Sequence, residues 1–217
     1  MAGRKAATAG TRTRAGEDGD PGVRLRLLAS ATDLFNRKGY AGTTVREIVA
    51  AAGVTKPVLY YYFRSKEGIF LDLMREAGMR FDAVLDESGR VEGTAPERLK
   101  SLAGRTLAFF IAHIDVARLM YAIYYGPPQG APAFDMDAYH LRFRKVVLRM
   151  IEDGIRRGEF RKADPLDMAW AFIGALNVAM ELHLCHPEMA FGRERLERVV
   201  GLVFAGIGTG RRKGVAR

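Results

Sequence analysis

Between residues 43 and 66 the chain reads TTVREIVAAAGVTKPVLYYYFRSK. The side chains there that offer a partner something are Thr43, Thr44, Arg46, Thr55, Lys56, Pro57, Val58, Tyr60, Tyr61, Tyr62 and Lys66. Their combined chemistry is that of a surface that reads a duplex groove. A lysine reaches a guanine edge or a phosphate, proline and valine touch thymine methyls, and hydroxyls and helix-start amides bond phosphate oxygens. Four adjacent aromatics, Tyr60 to Phe63, cannot all face one side of a helix, so part of the group must point away from the core.

Two short helices are needed to hold this set. Val45, Ile48, Val49 and Ala52 fall at i, i+3, i+4 and i+7, the stripe of a helix with one buried face. Thr43 or Thr44 can cap it, and Glu47 stands three residues after Thr44, the spacing of a capping box. Gly53 stops it, because glycine takes the left-handed conformation a chain needs to leave a helix sharply. Thr55 is a candidate cap for a second helix that starts near Lys56, with Pro57 in its first turn, where a missing amide costs nothing. Leu59 and Phe63, four apart, face the core, with Tyr62 partly turned inward. Two helices joined by a short glycine-containing turn make a helix-turn-helix, whose second helix lies in the major groove of DNA.

The wider run FNRKGYAGTTVREIVAAAGVTKPVLYYYFRSKEGIF resembles the DNA-binding head of the TetR/AcrR family of transcriptional regulators. The shared features are an apolar-aromatic pair before a Lys-Gly-Tyr turn, paired threonines, Ala-Gly-Val, Leu-Tyr, then Phe and Ser-Lys-Glu. The resemblance implies that Thr44, Arg46, Thr55, Tyr60, Tyr61, Tyr62 and Lys66 touch mostly backbone, while Lys56, Pro57 and Val58 read bases. Many family members carry a small residue in place of Pro57 and Ser or Thr in place of Val58, so base preference does not transfer.

Composition agrees with a polyanion partner. The 217 residues carry a formal charge of +9, with 48% hydrophobic residues to build a core. Residues 1–80 hold 14 Lys and Arg against 8 Asp and Glu; residues 81–210 hold 16 against 17; the tail from Arg211 adds four more basic residues. The basic excess therefore sits on the head and both ends. One cysteine, Cys185, excludes an internal disulfide. No charge-free apolar run of about eighteen residues appears, and no apolar segment follows the basic start, so the expectation is a cytoplasmic protein with no membrane partner.

Along the chain, residues 1–22 lack an apolar stripe and read as a disordered basic arm whose Arg4, Lys5, Arg12 and Arg14 suit phosphates or a minor groove. Val23, Leu27, Ala31, Leu34 and Phe35 make a bracing helix that ends at Gly39, with Tyr40 plugging the seam. A further helix, capped by Ser65, links head to body with Ile69, Leu73 and Ala77 inward; its first turn holds Lys66, so movement of the body would shift a phosphate contact. Beyond the break at 89–96, helical patterns run over 97–114, 116–125, 133–157, 165–185 and 193–207, separated by the loop Gly-Pro-Pro-Gln-Gly at 126–130 and by Gly158. The fold class expected is all-α, about nine helices: a three-helix head over 23–68, a helical body over 69–210 and a basic tail over 211–217.

In the body, Phe109, Phe110, His113, Met120, Tyr121, Tyr124, Phe134, Tyr139, Phe143, Trp170, Asn177 and Glu181 mix aromatic and thioether bulk with a few polar groups, the composition of a small-molecule site. The expected effector is apolar or aromatic, with a cationic or hydrogen-bonding end for Glu181. The segment 169–180 is apolar nearly all round, and the last helix sets Leu196, Val199, Val200, Val203, Phe204 and Ile207 beside several small residues; both suit a homodimer built as a four-helix bundle. His183, Cys185 and His186 do not converge on one helix face, so no metal or other cofactor is expected. No phosphate loop, nucleophile elbow or acid-base pair at fixed spacing supports an enzyme. The function expected is a ligand-responsive transcriptional regulator, a repressor that binds a palindromic operator on double-stranded DNA as a homodimer and is released by its effector. The alternative is an activator with no small-molecule effector.

Overall fold

A computed structural model of the chain describes residues 21–207. Among these residues there are nine α-helices and no strand: α1 Pro21–Gly42, α2 Val45–Ala52, α3 Lys56–Phe63, α4 Lys66–Gly89, α5 Ala95–Ala112, α6 Ile114–Tyr124, α7 Met136–Arg156, α8 Pro165–Cys185 and α9 Arg193–Ile207. The basic arm, apart from Pro21 and Gly22, and the tail beyond residue 207 lie outside the described residues. Helix α1 starts at Pro21, two residues before the first apolar position of its stripe. Helix α7 starts three residues later than its pattern suggested, because Asp135 accepts the Ala138 amide and so caps it there.

Local chemistry accounts for each end in the head. Gly39, with φ 72° and ψ 167°, breaks α1. Thr44 and Glu47 exchange the reciprocal bonds of a capping box, and Gly53, at φ 67°, ends α2 while the Val54 amide reaches back to the Val49 carbonyl at 2.9 Å. Between α3 and α4 the chain turns on Arg64, the one non-glycine residue with positive φ among those described, and Ser65 then caps α4 by accepting the Gly68 amide.

Two apolar clusters result. The head cluster joins Val23, Leu27, Leu34 and Phe35 of α1, Ile48 and Val49 of α2, Leu59 and Phe63 of α3, and Ile69, Phe70, Leu73 and Met74 of α4. Tyr40 is buried between Phe35 and Phe70, with ring centroids 5.4 and 5.3 Å away. This core therefore runs past residue 68 into α4 and also takes in Leu119 from α6. The second cluster packs α5, α7, α8 and α9 around Phe160, Phe172 and Phe204, with Arg98 and Asp153 paired at 2.9 Å beside it.

Helices α5 and α6 bend by 90° at His113, which turns α6 back onto the head. Two polar links reinforce that junction. The Asn36 amide donates to the Asp115 carbonyl at 2.8 Å, and Gln129, in the loop after α6, accepts the Tyr40 amide at 3.1 Å.

Helix α8 is long and apolar enough to cross a membrane by length and composition alone. Two of its faces are occupied inside the chain. Met168, Ala169, Phe172, Leu176 and Ala179 enter the body core, while Trp170, Ile173, Asn177 and Met180 line a cavity. A third face, with Ala171, Gly174 and Val178, is exposed.

Two outcomes follow from the head's local geometry. A methyl on Gly68 would lie 1.8 Å from the Phe63 carbonyl oxygen, so the turn between α3 and α4 must open to admit it. Gly68→Ala is expected to cost about 1–3 kcal/mol, the usual range for overpacking, and to lower the melting temperature followed by circular dichroism by several degrees; an unchanged melting temperature would contradict the close approach. The second outcome concerns Glu47, whose carboxyl is pulled from 4.5 down to about 2, first by the Lys38 ammonium and then by the Thr44 hydroxyl and amide. A folded value below the unfolded one stabilises fully above pH 4.5, and the contribution disappears as the pH falls toward 2. The melting-temperature gap between the native chain and Glu47→Ala should thus be widest near neutrality and narrow below about pH 4; a gap independent of pH would rule this out.

Candidate nucleic-acid interface and body cavity

Helix α3 has eight residues, and only Leu59 and Phe63 are fully in the core, at 0% and 4% exposure. With that side held, Thr55, Lys56, Pro57, Tyr60 and Tyr61 face solvent, the two tyrosines at 47% and 64%. Thr44 and Arg46 of the preceding helix are also exposed. Thr55 occupies the position before α3 but makes no side-chain capping bond, so its hydroxyl is not spent on the helix as the sequence suggested. The surface thus combines one ammonium, one guanidinium, hydroxyls and two aromatic edges, with α3 opening on a proline that has no amide to satisfy.

Val58 and Tyr62 are half-buried and lean on the head core, which leaves each only a partial outward face. The Tyr62 ring meets Tyr61 edge-on at 5.1 Å. Thr43 does not belong to this surface. It is 1% exposed, and its hydroxyl is turned inward to the carbonyls of Leu34 and Gly39, where it staples the α1 break. Lys66 is not a free phosphate hook either. Its ammonium donates to the carbonyls of Tyr40 and Thr43, both at 2.9 Å, and sits 4.2 Å from the centroid of the Tyr40 ring. Two of its three protons thus clamp α4 to the α1–α2 turn, so the lever acts on the position of that turn rather than through a loose lysine. Arg64 is an exposed cation at the other end of α3 that the apolar stripe passed over; its only sequence signal was a basic residue between Phe63 and the capping Ser65.

A cavity of about 620 Å³ lies in the body among α4, α5, α6, α7 and α8. Of the residues expected to line it, Phe109, Phe110, His113, Met120, Tyr121, Tyr139, Phe143, Trp170 and Asn177 do so. Three do not. Tyr124 stands just outside and donates its hydroxyl to Asp137 at 2.5 Å. Phe134 stacks on the Tyr139 ring at 5.5 Å, packs toward the head cluster, and so backs the wall instead of forming it. Glu181 falls on the exposed side of α8. The wall also contains Phe81 from α4 and Asp137, His140 and Arg144 from α7, none of which was among the residues expected there; a charge on an amphipathic helix normally marks its wet face.

Of the polar groups in the wall, His113 and Asp137 are committed to hydrogen bonds, while the buried Thr106 hydroxyl has no partner among the described residues. His113 donates from Nδ1 to the Phe109 carbonyl at 2.9 Å, stacks on that ring at 4.4 Å, and leaves Nε2 3.4 Å from the Arg80 guanidinium. Burial, helped by Tyr125 and Glu181, pushes the Tyr121 hydroxyl above its ordinary value, so it stays a neutral donor at physiological pH. Tyr139 closes tightly on α4: a methyl on Gly78 would lie 2.1 Å from its hydroxyl oxygen.

The family model for bacterial regulatory proteins of the tetR family matches residues 27–73, which spans α1 through the first turns of α4. The transcriptional repressor AcnR of Corynebacterium diphtheriae is 36% identical over 187 residues, covering 83% of this chain and 88% of AcnR. Among solved structures, the TetR family transcriptional regulator PfmR of Thermus thermophilus is 22% identical with a TM-score of 0.67, covering 88% of this chain and all of PfmR. AibR, solved in complex with isovaleryl coenzyme A and operator DNA, is 19% identical with a TM-score of 0.62, covering 84% of this chain and 97% of AibR. With the helix-turn-helix on α2 and α3 and a likeness that extends over most of the body, the chain belongs to the TetR family of DNA-binding transcriptional regulators.

Proposed function

We propose that this regulator represses transcription by binding a two-fold-related operator as a homodimer, and that it leaves the DNA when a small molecule fills the body cavity. The observation that carries the reading is the outward set Lys56, Pro57, Tyr60 and Tyr61 on α3, whose opposite side is anchored by Leu59 and Phe63. Two adjacent solvent-facing tyrosines beside a lysine suit a sugar-phosphate rail better than they suit water. Repression is supported by the likeness to AcnR, and a ligand in the body by the size and apolar walls of the cavity and by the complex solved for AibR.

The dimer reading rests on faces that nothing covers among the described residues. On α8 these are Ala171, Gly174 and Val178; on α9 they are Leu202 at 75% exposure, Ala205 and Gly206. A methyl at Gly174, Gly201 or Gly206 would meet nothing within 4 Å, so a second pair of helices has room to approach closely. Coupling between cavity and head runs through α4 and α6. Both line the cavity, Leu119 of α6 sits in the head core, and Asn36 and Gln129 make the polar links across the junction. A ligand shifts the head only to the extent that it binds one arrangement of α4 and α6 better than the other.

A labelled duplex selected by the protein from a random pool tests the interface. Lys56→Ala is expected to weaken binding and to reduce the slope of log affinity against log salt by about one, and Tyr60→Ala to weaken it roughly tenfold or more; affinity unchanged in both variants would remove the assignment. Val178→Asp combined with Leu202→Asp places charge on both uncovered faces. The double variant should sediment as a monomer and lose the duplex, whereas a persisting dimer would mean that these faces are not the interface.

A further inference from the structure

The chemistry of the cavity wall identifies a class of ligand. We infer that the cavity takes an amphipathic organic anion, with an apolar body inside and a carboxylate or phosphate head held by Arg144; this rests on reading the cavity as the effector site. Arg144 projects from α7 into the wall, half-buried, and its charge is permanent. Among the described residues its one counterpart is the ring of Trp170, 5.8 Å from the guanidinium carbon.

Several carboxylates of α4 and α7 are held by other arginines. Asp82 and Asp86 are held by Arg142 at 2.7 and 2.9 Å, Glu76 by Arg24 and Arg80, and Asp153 by Arg98, Arg156 and Arg157. Asp137, the acidic residue in the wall, already accepts the Tyr124 hydroxyl, and Glu181 is outside the lining. Asp137 keeps its negative charge but faces solvent, where water screens it, so the half-buried charge of the wall is positive. A planar guanidinium beside an aromatic ring supplies the paired donors that a carboxylate or phosphate accepts side by side. Deeper in, Phe81, Phe110, Met120 and Phe143 offer no partner for a second charge, and this sets the apolar body. The aromatic wall by itself would equally suit a cation. What decides against one is that the acid faces solvent, whereas the guanidinium is half-buried with an aromatic ring beside it and no carboxylate.

Trp170 is the only tryptophan of the chain and touches Arg144, so its fluorescence reports occupancy directly. The full-length protein is titrated with dodecanoate, dodecanol and dodecyltrimethylammonium, each below its micelle concentration. Dodecanoate should bind roughly ten- to a hundredfold tighter than dodecanol, the span of one charge-assisted hydrogen bond, with the ammonium weakest. Arg144→Gln should abolish the preference while Arg144→Lys keeps part of it, each variant's helicity and melting temperature being checked by circular dichroism.

Dodecanol or the ammonium matching the acid, or a preference that survives in Arg144→Gln, overturns the inference. Dodecanoyl-coenzyme A and free coenzyme A separate the two sources of the head group. Dodecanoyl-coenzyme A should share the sensitivity of dodecanoate to Arg144→Gln, and the tighter of the two names the source; binding of free coenzyme A as tight as that of its acyl form overturns the apolar body. If all probes bind alike and release the duplex, the effector reading stands and the anion falls. If none perturbs Trp170, both fall.

Discussion

The burial of Leu59 and Phe63 is the constraint on which this molecule turns. An eight-residue helix is too short to be stable by itself, so α3 exists because these two side chains are held by α1, α2 and α4. Fixing them also fixes the rotation of the helix, which decides that Lys56, Tyr60 and Tyr61 face outward. The supports of α3 are correspondingly tight. Gly68 lets the start of α4 close on the Phe63 carbonyl, Lys66 ties α4 to the turn before α2, and Thr43 staples that turn from within.

The same turn carries the connection to the body. Gln129 reaches the Tyr40 amide from the loop after α6, so residues 39–43 are gripped by the body loop on one side and by α4 on the other. Helix α6 contributes Leu119 to the head core and Tyr121 to the cavity wall, and Met120 between them touches both. A short helix with one face in each compartment cannot change its packing in one without disturbing the other, because well-packed interiors are not continuously deformable.

Helix α8 shows a related economy in the body. Its core, cavity and uncovered faces explain why the stretch from Ala169 to Met180 has almost no polar residue: the exposed side is as apolar as the buried one. Asn177 and Trp170 stand where the cavity face meets the exposed one, the place at which an apolar helix keeps its few hydrogen-bonding groups.

The sequence alone determined what depends on neighbours a few residues away. The capping box at Thr44 and Glu47, the stop at Gly53, the proline start of α3, the Ser65 cap and the Asp164 cap with Pro165 in the first turn of α8 are decided by near neighbours, so their signals survive in the linear order. The inward pair Leu59 and Phe63 followed from helical spacing for the same reason. Only the tertiary structure decided which side chains were already occupied by distant partners. Thr43 and Lys66 have the composition of DNA ligands, yet carbonyls of Leu34, Gly39 and Tyr40 take their donors, and no local pattern reveals that. In the body, helical spacing found the aromatic wall but placed Glu181 inside it and left Arg144 out. The rotation of α7 and α8 about their axes is set by how the cores of four helices fit together, and that packing alone determines which charge meets the cavity.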